Sequence, residues 1–280
     1  RPPRSTQGVS SAASDVYKRQ RLDRILPGLP DGKGSVMFAI DHGYFMGPTT
    51  GLENPQETVL PLLPYADSLM VTRGILRYCI PKRMNMPIVL RVSSGNSILN
   101  DDLSNEELCV SIEDAIRLNA SAVAFSIYVG AEYEHQSIVE FSKLVNEAHR
   151  YGIPVLAVTA VGKEMDRDLR YLSLASRMAV ELGADIVKTY YCDDFDKLVD
   201  VCHIPVVIAG GKKIPEADAL QLAYNAISDG AAGVDMGRNI FQAASPVDMM
   251  QARKRGRNHG NPEAVWFNLC LLYTSPSPLD

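Results

Sequence analysis

A lysine stands inside an apolar segment of the chain. Lys188 lies within the run 185–191, which is otherwise rich in Ile, Val and Tyr. Burying an ionised lysine without a partner is costly, so this position requires an explanation. One interpretation is a buried ion pair with a carboxylate such as Asp41. The favoured one is a nucleophilic amine, which burial and a second cation such as Lys212 or Lys213 would keep neutral.

Two glycine-containing loops that also carry cations follow in the chain. They are the runs 209–213 and 234–239. Glycines let backbone N–H groups approach an anion, and an arginine binds phosphate in a bidentate manner. Ordinary tight turns are the alternative explanation. The pattern favours a phosphate site, for which the predicted binding residues are Arg91, Gly210, Gly211, Lys213, Asp235, Gly237 and Arg238.

Further polar residues follow apolar runs in the first half of the chain. Asp41, His42 and Tyr128 could transfer protons, although His42 could instead orient Asp41. Cys192 with His203 is a weaker nucleophile pair, because no base is placed in register with the thiol. Acidic pairs are interpreted as surface charge, and no metal site is predicted; the pairs are Asp101–Asp102, Glu106–Glu107 and Asp193–Asp194.

Eight short apolar runs would form the strands that position these groups. Most of them lack polar alternation, which is typical of parallel strands buried on both faces. The predicted strands are Ser35–Ile40, Asp67–Thr72, Pro87–Val92, Ser121–Tyr128, Ile153–Val158, Ala184–Thr189, Pro205–Ala209 and Ala231–Met236.

Segments with helical spacing fill the gaps between these runs. The clearest are 104–119 with Ser104 as N-cap, 134–151, and 168–182. A glycine follows the last two of these helices, as expected for the loop that leads into the next strand. Eight such units in about 250 residues predict a single (β/α)8 TIM barrel, in which catalytic groups lie at the carboxyl ends of the strands.

Composition excludes several classes of protein. The 280 residues are 46% hydrophobic with a formal net charge of −5, which gives no basis for binding nucleic acid or acidic membranes. No apolar run approaches the roughly 20 residues of a membrane span. The five cysteines show no paired spacing, so a reducing cytoplasm is the expected location.

Both ends of the chain differ from its middle. The stretches 14–20 and 270–278 resemble translated adapter sequence. We expect residues 1–20 and 270–280 to be non-native or disordered and the barrel to occupy 21–269. The run 252–258 is basic and contains a glycine, which is unfavourable for the last helix of a barrel.

From Leu22 to about Met250 the chain resembles the class I aldolases of the superfamily of deoxyribose-phosphate aldolase and archaeal-type fructose-bisphosphate aldolase. Six runs are similar to its 3-hydroxy-5-phosphonooxypentane-2,4-dione thiolases, which act in autoinducer-2 degradation: 41–45, 47–53, 72–77, 96–99, 186–191 and 209–213.

This resemblance implies a mechanism and an assembly. Lys188 would form the Schiff base, Tyr128 would be the acid/base tyrosine and Asp41 an active-site carboxylate. The substrate would be a phosphorylated ketone, with coenzyme A as a possible co-substrate and no bound cofactor. A homodecamer is also implied. The alternatives are a fructose-bisphosphate aldolase and a non-catalytic barrel that binds sugar phosphates.

Overall fold

The computed structural model describes residues 6–29, 34–160 and 166–259. Eight parallel strands close into a barrel, in which each strand pairs with its neighbour in the chain and the last pairs with the first. The strands are β1 (Ser35–Ala39), β2 (Ser68–Thr72), β3 (Ile88–Arg91), β4 (Ala122–Ile127), β5 (Val155–Thr159), β6 (Ile186–Thr189), β7 (Val206–Ala209) and β8 (Gly233–Met236). The predicted (β/α)8 barrel is therefore confirmed, with strand ends that differ from the predicted ones by at most two residues.

Helices surround the barrel and connect its strands. In chain order they are α1 (Thr6–Ile25), α2 (Gly43–Met46), α3 (Pro55–Val59), α4 (Arg73–Cys79), α5 (Ile112–Arg117), α6 (Glu134–Arg150), α7 (Leu169–Glu181), α8 (Phe195–Cys202), α9 (Glu216–Ser228), α10 (Arg238–Phe241) and α11 (Pro246–His259), with a 3-10 turn at Leu63–Tyr65. Among the described residues, no helix combines the length and apolar character needed to cross a bilayer.

Two layers of apolar side chains lie on the two faces of the sheet. Inside the barrel, Met37, Met70, Leu156 and Ile186 form one buried cluster. Outside it, the other face of each strand packs against the helices, as Phe125 does against Phe141 of α6. Burial on both faces explains why these strands lack polar alternation.

Helices α6 and α7 form where the spacing of apolar residues predicts them. The Asp168 side chain accepts a hydrogen bond of 2.8 Å from the Tyr171 backbone N–H and so caps α7. Gly183 follows α7 with φ of 96°, a conformation that glycine adopts without steric cost. The chain can therefore turn sharply into β6.

The helix predicted over 104–119 is wrong in its first half. Helix α5 begins at Ile112, and Ser111 is its N-cap, accepting from the Asp114 backbone N–H. Upstream, two-residue strands at Ser93–Ser94 and Glu107–Leu108 pair in antiparallel fashion. The backbone of 107–108 pairs across the loop and is therefore not available to a helix.

Helix α1 includes most of the N-terminal segment and crosses the predicted boundary between residues 20 and 21. The expectation that residues 1–20 are non-native or disordered stays a prediction. Lys18 forms an ion pair of 3.0 Å with Asp185, and Arg21 donates a hydrogen bond to the Ala120 carbonyl oxygen. Asp185 immediately precedes β6 and Ala120 lies two residues before β4, so α1 packs across the amino ends of the barrel strands.

The C-terminal segment is helical as far as His259. Helix α11 includes the basic run 252–258, so the expectation that this run is unfavourable for a helix is wrong. Its first turns are anchored by Met249 and Met250, which are fully buried. The predicted tail 270–280 lies outside the described residues.

Candidate active site

A cavity of about 800 Å³ opens at the carboxyl ends of the barrel strands. Ten of the eleven predicted site residues line it: Asp41, His42, Arg91, Tyr128, Lys188, Gly210, Gly211, Asp235, Gly237 and Arg238. They come from six different strands or from the residues that follow them. The barrel therefore brings together groups that are far apart in the sequence.

Lys188 lies in the wall of this cavity and is buried, with 8% of its surface exposed. Its Nζ atom is 2.8 Å from Oδ2 of Asp235 and 3.6 Å from Sδ of Met70. Burial raises the pKa of Asp235, and the charge of Lys188 opposes that rise. The buried partner of Lys188 is thus Asp235, and the pairing with Asp41 that the sequence left open is wrong.

Asp41 instead pairs with Arg91 at the end of β3. Its Oδ2 atom accepts a hydrogen bond of 2.9 Å from Arg91 Nε, and both side chains are buried. Burial alone would raise the pKa of Asp41, but the charges of Arg91 and Lys188 outweigh it and hold this pKa at about 2. Asp41 is therefore an anion throughout the physiological range.

His42 adjoins this pair and contacts Phe241 edge to face, with ring centroids 5.6 Å apart. Burial lowers the pKa of His42 to about 4, against the opposing charge of Asp41. Its Nδ1 atom has no hydrogen-bond partner among the described residues. The imidazole is thus neutral near pH 7 and available as a hydrogen-bond partner.

Arg91 is held in place from a second side. Its Nη1 atom donates to Ser126 Oγ at 2.6 Å, and Ser93 Oγ lies 3.4 Å away. Ser93 in turn donates to Glu106 Oε2 at 2.6 Å. These contacts fix the guanidinium against Asp41 and occupy its Nε and Nη1 atoms.

Glu106 is a buried carboxylate that the sequence interpretation missed. Its Oε1 atom accepts hydrogen bonds from the hydroxyls of Tyr44, at 2.6 Å, and Tyr128, at 2.7 Å. The residue is 2% exposed, so the prediction of surface charge is wrong for it. Burial, followed by the charge of Glu106, raises the pKa of Tyr128 well above its usual range.

The loops after β7 and β8 lie side by side at the cavity. Asn239 joins them, because its Nδ2 atom donates to the Gly210 carbonyl oxygen at 2.7 Å and its Oδ1 atom accepts from the Ile214 backbone N–H at 2.9 Å. In the sequence this asparagine is distinguished only by its place in the second loop. It sets the spacing between the two glycine loops.

Gly237 could not be another residue in this arrangement. A Cβ atom there would lie 2.3 Å from both the Ala39 carbonyl oxygen and His42 Cε1. Gly211 has φ of 67°, which also favours glycine. Backbone can approach a ligand closely at both loops.

Among the predicted cations, Arg238 faces the cavity and Lys213 does not. The Nε atom of Arg238 is buried without a hydrogen-bond partner among the described residues. Lys213 pairs with Glu216 at 2.7 Å, and Lys212 is exposed. Neither lysine lines the cavity, so neither is placed to act as the second cation beside Lys188.

Arg167 is a further cation that the sequence interpretation missed. Its guanidinium carbon lies 3.7 Å from the ring centroid of Tyr190. A Cβ atom on Gly211 would be 3.9 Å from its Nη1 atom. The guanidinium therefore lies at the edge of the glycine loops.

The model of the DeoC/LacD family aldolase matches residues 35–243, which span the whole barrel. The chain belongs to this family. The chain is 55% identical over 243 residues to 3-hydroxy-5-phosphonooxypentane-2,4-dione thiolase of Yersinia pseudotuberculosis. This match covers 86% of the chain and 82% of that protein. It is 56% identical over 241 residues to the protein of the same name from Photorhabdus laumondii, with the same coverage.

Solved structures agree with this assignment. An archaeal fructose-1,6-bisphosphate aldolase, whose catalytic lysine is covalently bound to the carbinolamine intermediate of the substrate, superposes with a TM-score of 0.76 at 26% identity. The match covers 85% of the present chain and 98% of the archaeal aldolase. A second structure, of a Schiff-base-forming fructose-1,6-bisphosphate aldolase, gives the same TM-score at 27% identity. The chain is therefore an enzyme of the Schiff-base aldolase type.

Proposed function

We propose that this aldolase cleaves a carbon–carbon bond of 3-hydroxy-5-phosphonooxypentane-2,4-dione, transfers the acetyl group to coenzyme A and releases dihydroxyacetone phosphate. The observation that carries the proposal is the buried Lys188 in the cavity wall, 2.8 Å from Asp235. The identity to the thiolases supports this choice of reaction.

The first step requires a neutral amine. Asp235 is close enough to take a proton from Lys188 Nζ, and burial favours its protonated form. The amine then attacks the ketone carbon beside the phosphate ester, and loss of water from the carbinolamine gives an iminium. Asp235 therefore acts in this proposal as the proton partner of Lys188 and not as a phosphate ligand.

Cleavage then uses the iminium as an electron sink. The coenzyme A thiol loses its proton, and its sulfur bonds to the acetyl carbonyl carbon. The electrons of the breaking carbon–carbon bond move to the iminium nitrogen and form an enamine. Protonation of the enamine and hydrolysis release dihydroxyacetone phosphate and restore Lys188. Tyr128, Asp41 and His42 are the candidates for these proton transfers.

The phosphate would bind at the loops after β7 and β8. Gly210, Gly211 and Gly237 allow close approach of the backbone, and Arg238 offers a buried Nε atom that no described residue pairs with. On the opposite side of the barrel mouth, the loops after β3 and β4 contribute Asp101, Asp102 and Glu132 to the cavity lining. One cationic end and one acidic end favour a substrate with one phosphate over a bisphosphate.

Borohydride trapping tests the covalent step. Incubation with dihydroxyacetone phosphate and sodium borohydride is expected to add one reduced substrate to the peptide that contains Lys188. Lys188→Ala should abolish the adduct, whereas Lys143→Ala, which alters an exposed lysine of α6, should retain it. Absence of the adduct in the native enzyme, or its survival in Lys188→Ala, would overturn the proposal and favour a non-catalytic sugar-phosphate-binding barrel.

The choice of reaction is tested separately by assay. Acetyl-CoA formation from the phosphorylated pentanedione, dependent on coenzyme A, is expected. Triose release from fructose 1,6-bisphosphate at a higher kcat/KM would instead identify an aldolase.

We also propose a cytoplasmic homodecamer, as the resemblance to the thiolases implies. Four cysteines of the described residues are free thiols, which suits a reducing compartment. Light scattering on the purified protein should give ten times the chain mass of 30.7 kDa. A monomeric mass would contradict the assembly without affecting the chemistry.

A further inference from the structure

Three hydroxyl groups converge on the carboxylate of Glu106. Tyr44 and Tyr128 donate to Oε1 at 2.6 and 2.7 Å, and Ser93 donates to Oε2 at 2.6 Å. Toward these three hydroxyl groups both carboxylate oxygens act as hydrogen-bond acceptors. Glu106 therefore lies one hydrogen bond away from the cavity, which both tyrosines line.

The direction of the hydrogen bond determines what Tyr128 can do. Its hydroxyl proton is committed to Glu106, so the lone pairs on its oxygen remain for a bound reactant. Tyr128 therefore accepts a hydrogen bond from the reactant. A phenolate beside a buried carboxylate is strongly disfavoured, in agreement with the raised pKa of Tyr128. Tyr128 cannot keep a proton that it receives without passing its own proton on.

We propose that Glu106 positions Tyr128 and is the final acceptor of the proton that Tyr128 removes from a bound reactant. A hydrogen leaves an O–H or S–H group of the reactant and bonds to Tyr128 Oη. At the same time the original hydroxyl proton moves from Oη to Glu106 Oε1. The reactant gains one negative charge, Glu106 becomes neutral, and Tyr128 is neutral before and after the step.

This inference rests on the proposed carbon–carbon cleavage, in which the attacking thiol must lose a proton. Asp41 is less suited to accept that proton. Its pKa is held at about 2 and its Oδ2 atom is bonded to Arg91. Within the described part of the chain, Glu106 forms no direct bond to a cation, since the Arg91 guanidinium reaches it through the Ser93 hydroxyl.

Glu106→Gln tests the proposal. The amide oxygen can still accept from both tyrosines, while its NH2 group can donate to Ser93 Oγ, so the side chain keeps its place but cannot take a proton. We expect kcat to fall by about 100-fold or more, with little change in KM. The pH profile of kcat should differ from that of the native enzyme. Glu107→Gln makes the same change at the next, exposed residue, and should leave kcat and the pH profile unaltered.

A double variant separates proton transfer from structure. If Tyr128 and Glu106 act in one relay, Glu106→Gln in a Tyr128→Phe background should cost less than two-fold in kcat. Multiplicative losses, or a native pH profile in Glu106→Gln, would overturn the inference, as would a change in KM as large as the change in kcat. Borohydride trapping of dihydroxyacetone phosphate should persist in Glu106→Gln. Loss of trapping in the native enzyme would contradict the proposed function instead.

Discussion

The Nζ atom of Lys188 and the Oδ2 atom of Asp235 lie 2.8 Å apart, on two strands separated in the barrel by β7. The side chain of Asp235 is fully buried, and that of Lys188 is 10% exposed. Burying either charge without the other would carry a large desolvation penalty. The contact that stabilises the buried lysine also supplies it with a proton acceptor.

Asp235→Asn should therefore reduce both stability and activity. It leaves the Lys188 charge without its partner, which we expect to cost about 3 kcal/mol of unfolding free energy. Lys188→Met removes the other charge, and the double variant Lys188→Met with Asp235→Asn should recover part of the loss. Urea unfolding at pH 7 measures all four proteins. Additive losses would argue that the two groups do not stabilise each other.

The ion pair of Asp41 with Arg91 should make stability depend on pH at acid values. The folded pKa of Asp41, at about 2, lies below the unfolded value near 3.9, so its contribution is present above pH 4 and is lost as the pH falls toward 2. The expected loss is about 2 kcal/mol. Urea unfolding at pH 5 and pH 3 should show about half of this loss, roughly 1 kcal/mol, in the native protein and a smaller change in Asp41→Asn. Asp193→Asn, at an exposed position, is the control and should follow the native protein.

His42 should remain neutral at all pH values at which the enzyme works. Its pKa of about 4 predicts that the Nδ1 and Nε2 chemical shifts, measured by NMR, stay constant between pH 6 and pH 8. Because the folded pKa is lowered, the stability that neutral His42 contributes is present above pH 6.5 and falls as the pH decreases. Assignment of its signals uses His42→Gln. A midpoint near 6.5 would contradict the burial of the ring described above.

Gly237→Ala should be severely destabilising. The new methyl group would overlap the Ala39 carbonyl oxygen and His42 Cε1, each 2.3 Å away, and the backbone oxygen cannot move without disturbing β1. We expect a loss of about 2 to 4 kcal/mol by thermal unfolding. Gly74→Ala is the matched control. Nothing lies within 4 Å of a Cβ atom at this helical position, so stability should rise slightly.

Truncation of Leu26 tests the contribution of α1 and the turn after it. Leu26 is 1% exposed and packs with the interior of the barrel. Leu26→Ala should cost about 3 kcal/mol, because a cavity remains where the side chain was. Val16→Ala, at a half-exposed position of the same segment, should change stability by less than about 0.5 kcal/mol. Equal effects would mean that the segment does not dock as described.

The sequence predicts the barrel well because buried parallel strands leave an apolar pattern that is local in the chain. It also indicates Lys188, since a charge inside such a run is conspicuous. The partner of that charge is not local. Asp41 follows one apolar run and Asp235 lies within another, so both were possible partners. Only the closed barrel shows that Asp41 forms its ion pair with Arg91.

Glu106 and α1 show where local patterns are insufficient. Glu106 has an acidic neighbour and no apolar run around it, so its burial depends on the hydroxyls of Tyr44, Ser93 and Tyr128. Helix α1 has few apolar residues over most of its length, and its contacts with Asp185 and Ala120 join positions about 100 or more residues apart. Tertiary contacts, and not helix propensity, determine both features.

Ile25 and Leu26 pack into the amino end of the barrel and close the cavity at that end. Reactants that meet at Lys188 must then arrive and depart through the mouth formed by the loops at the carboxyl ends. A phosphorylated ketone held at the loops after β7 and β8 would share this mouth with the bulky thiol, and it must be bound at Lys188 before the thiol can attack it. Steady-state kinetics should consequently follow a compulsory order, with the ketone first and the thioester leaving before the triose.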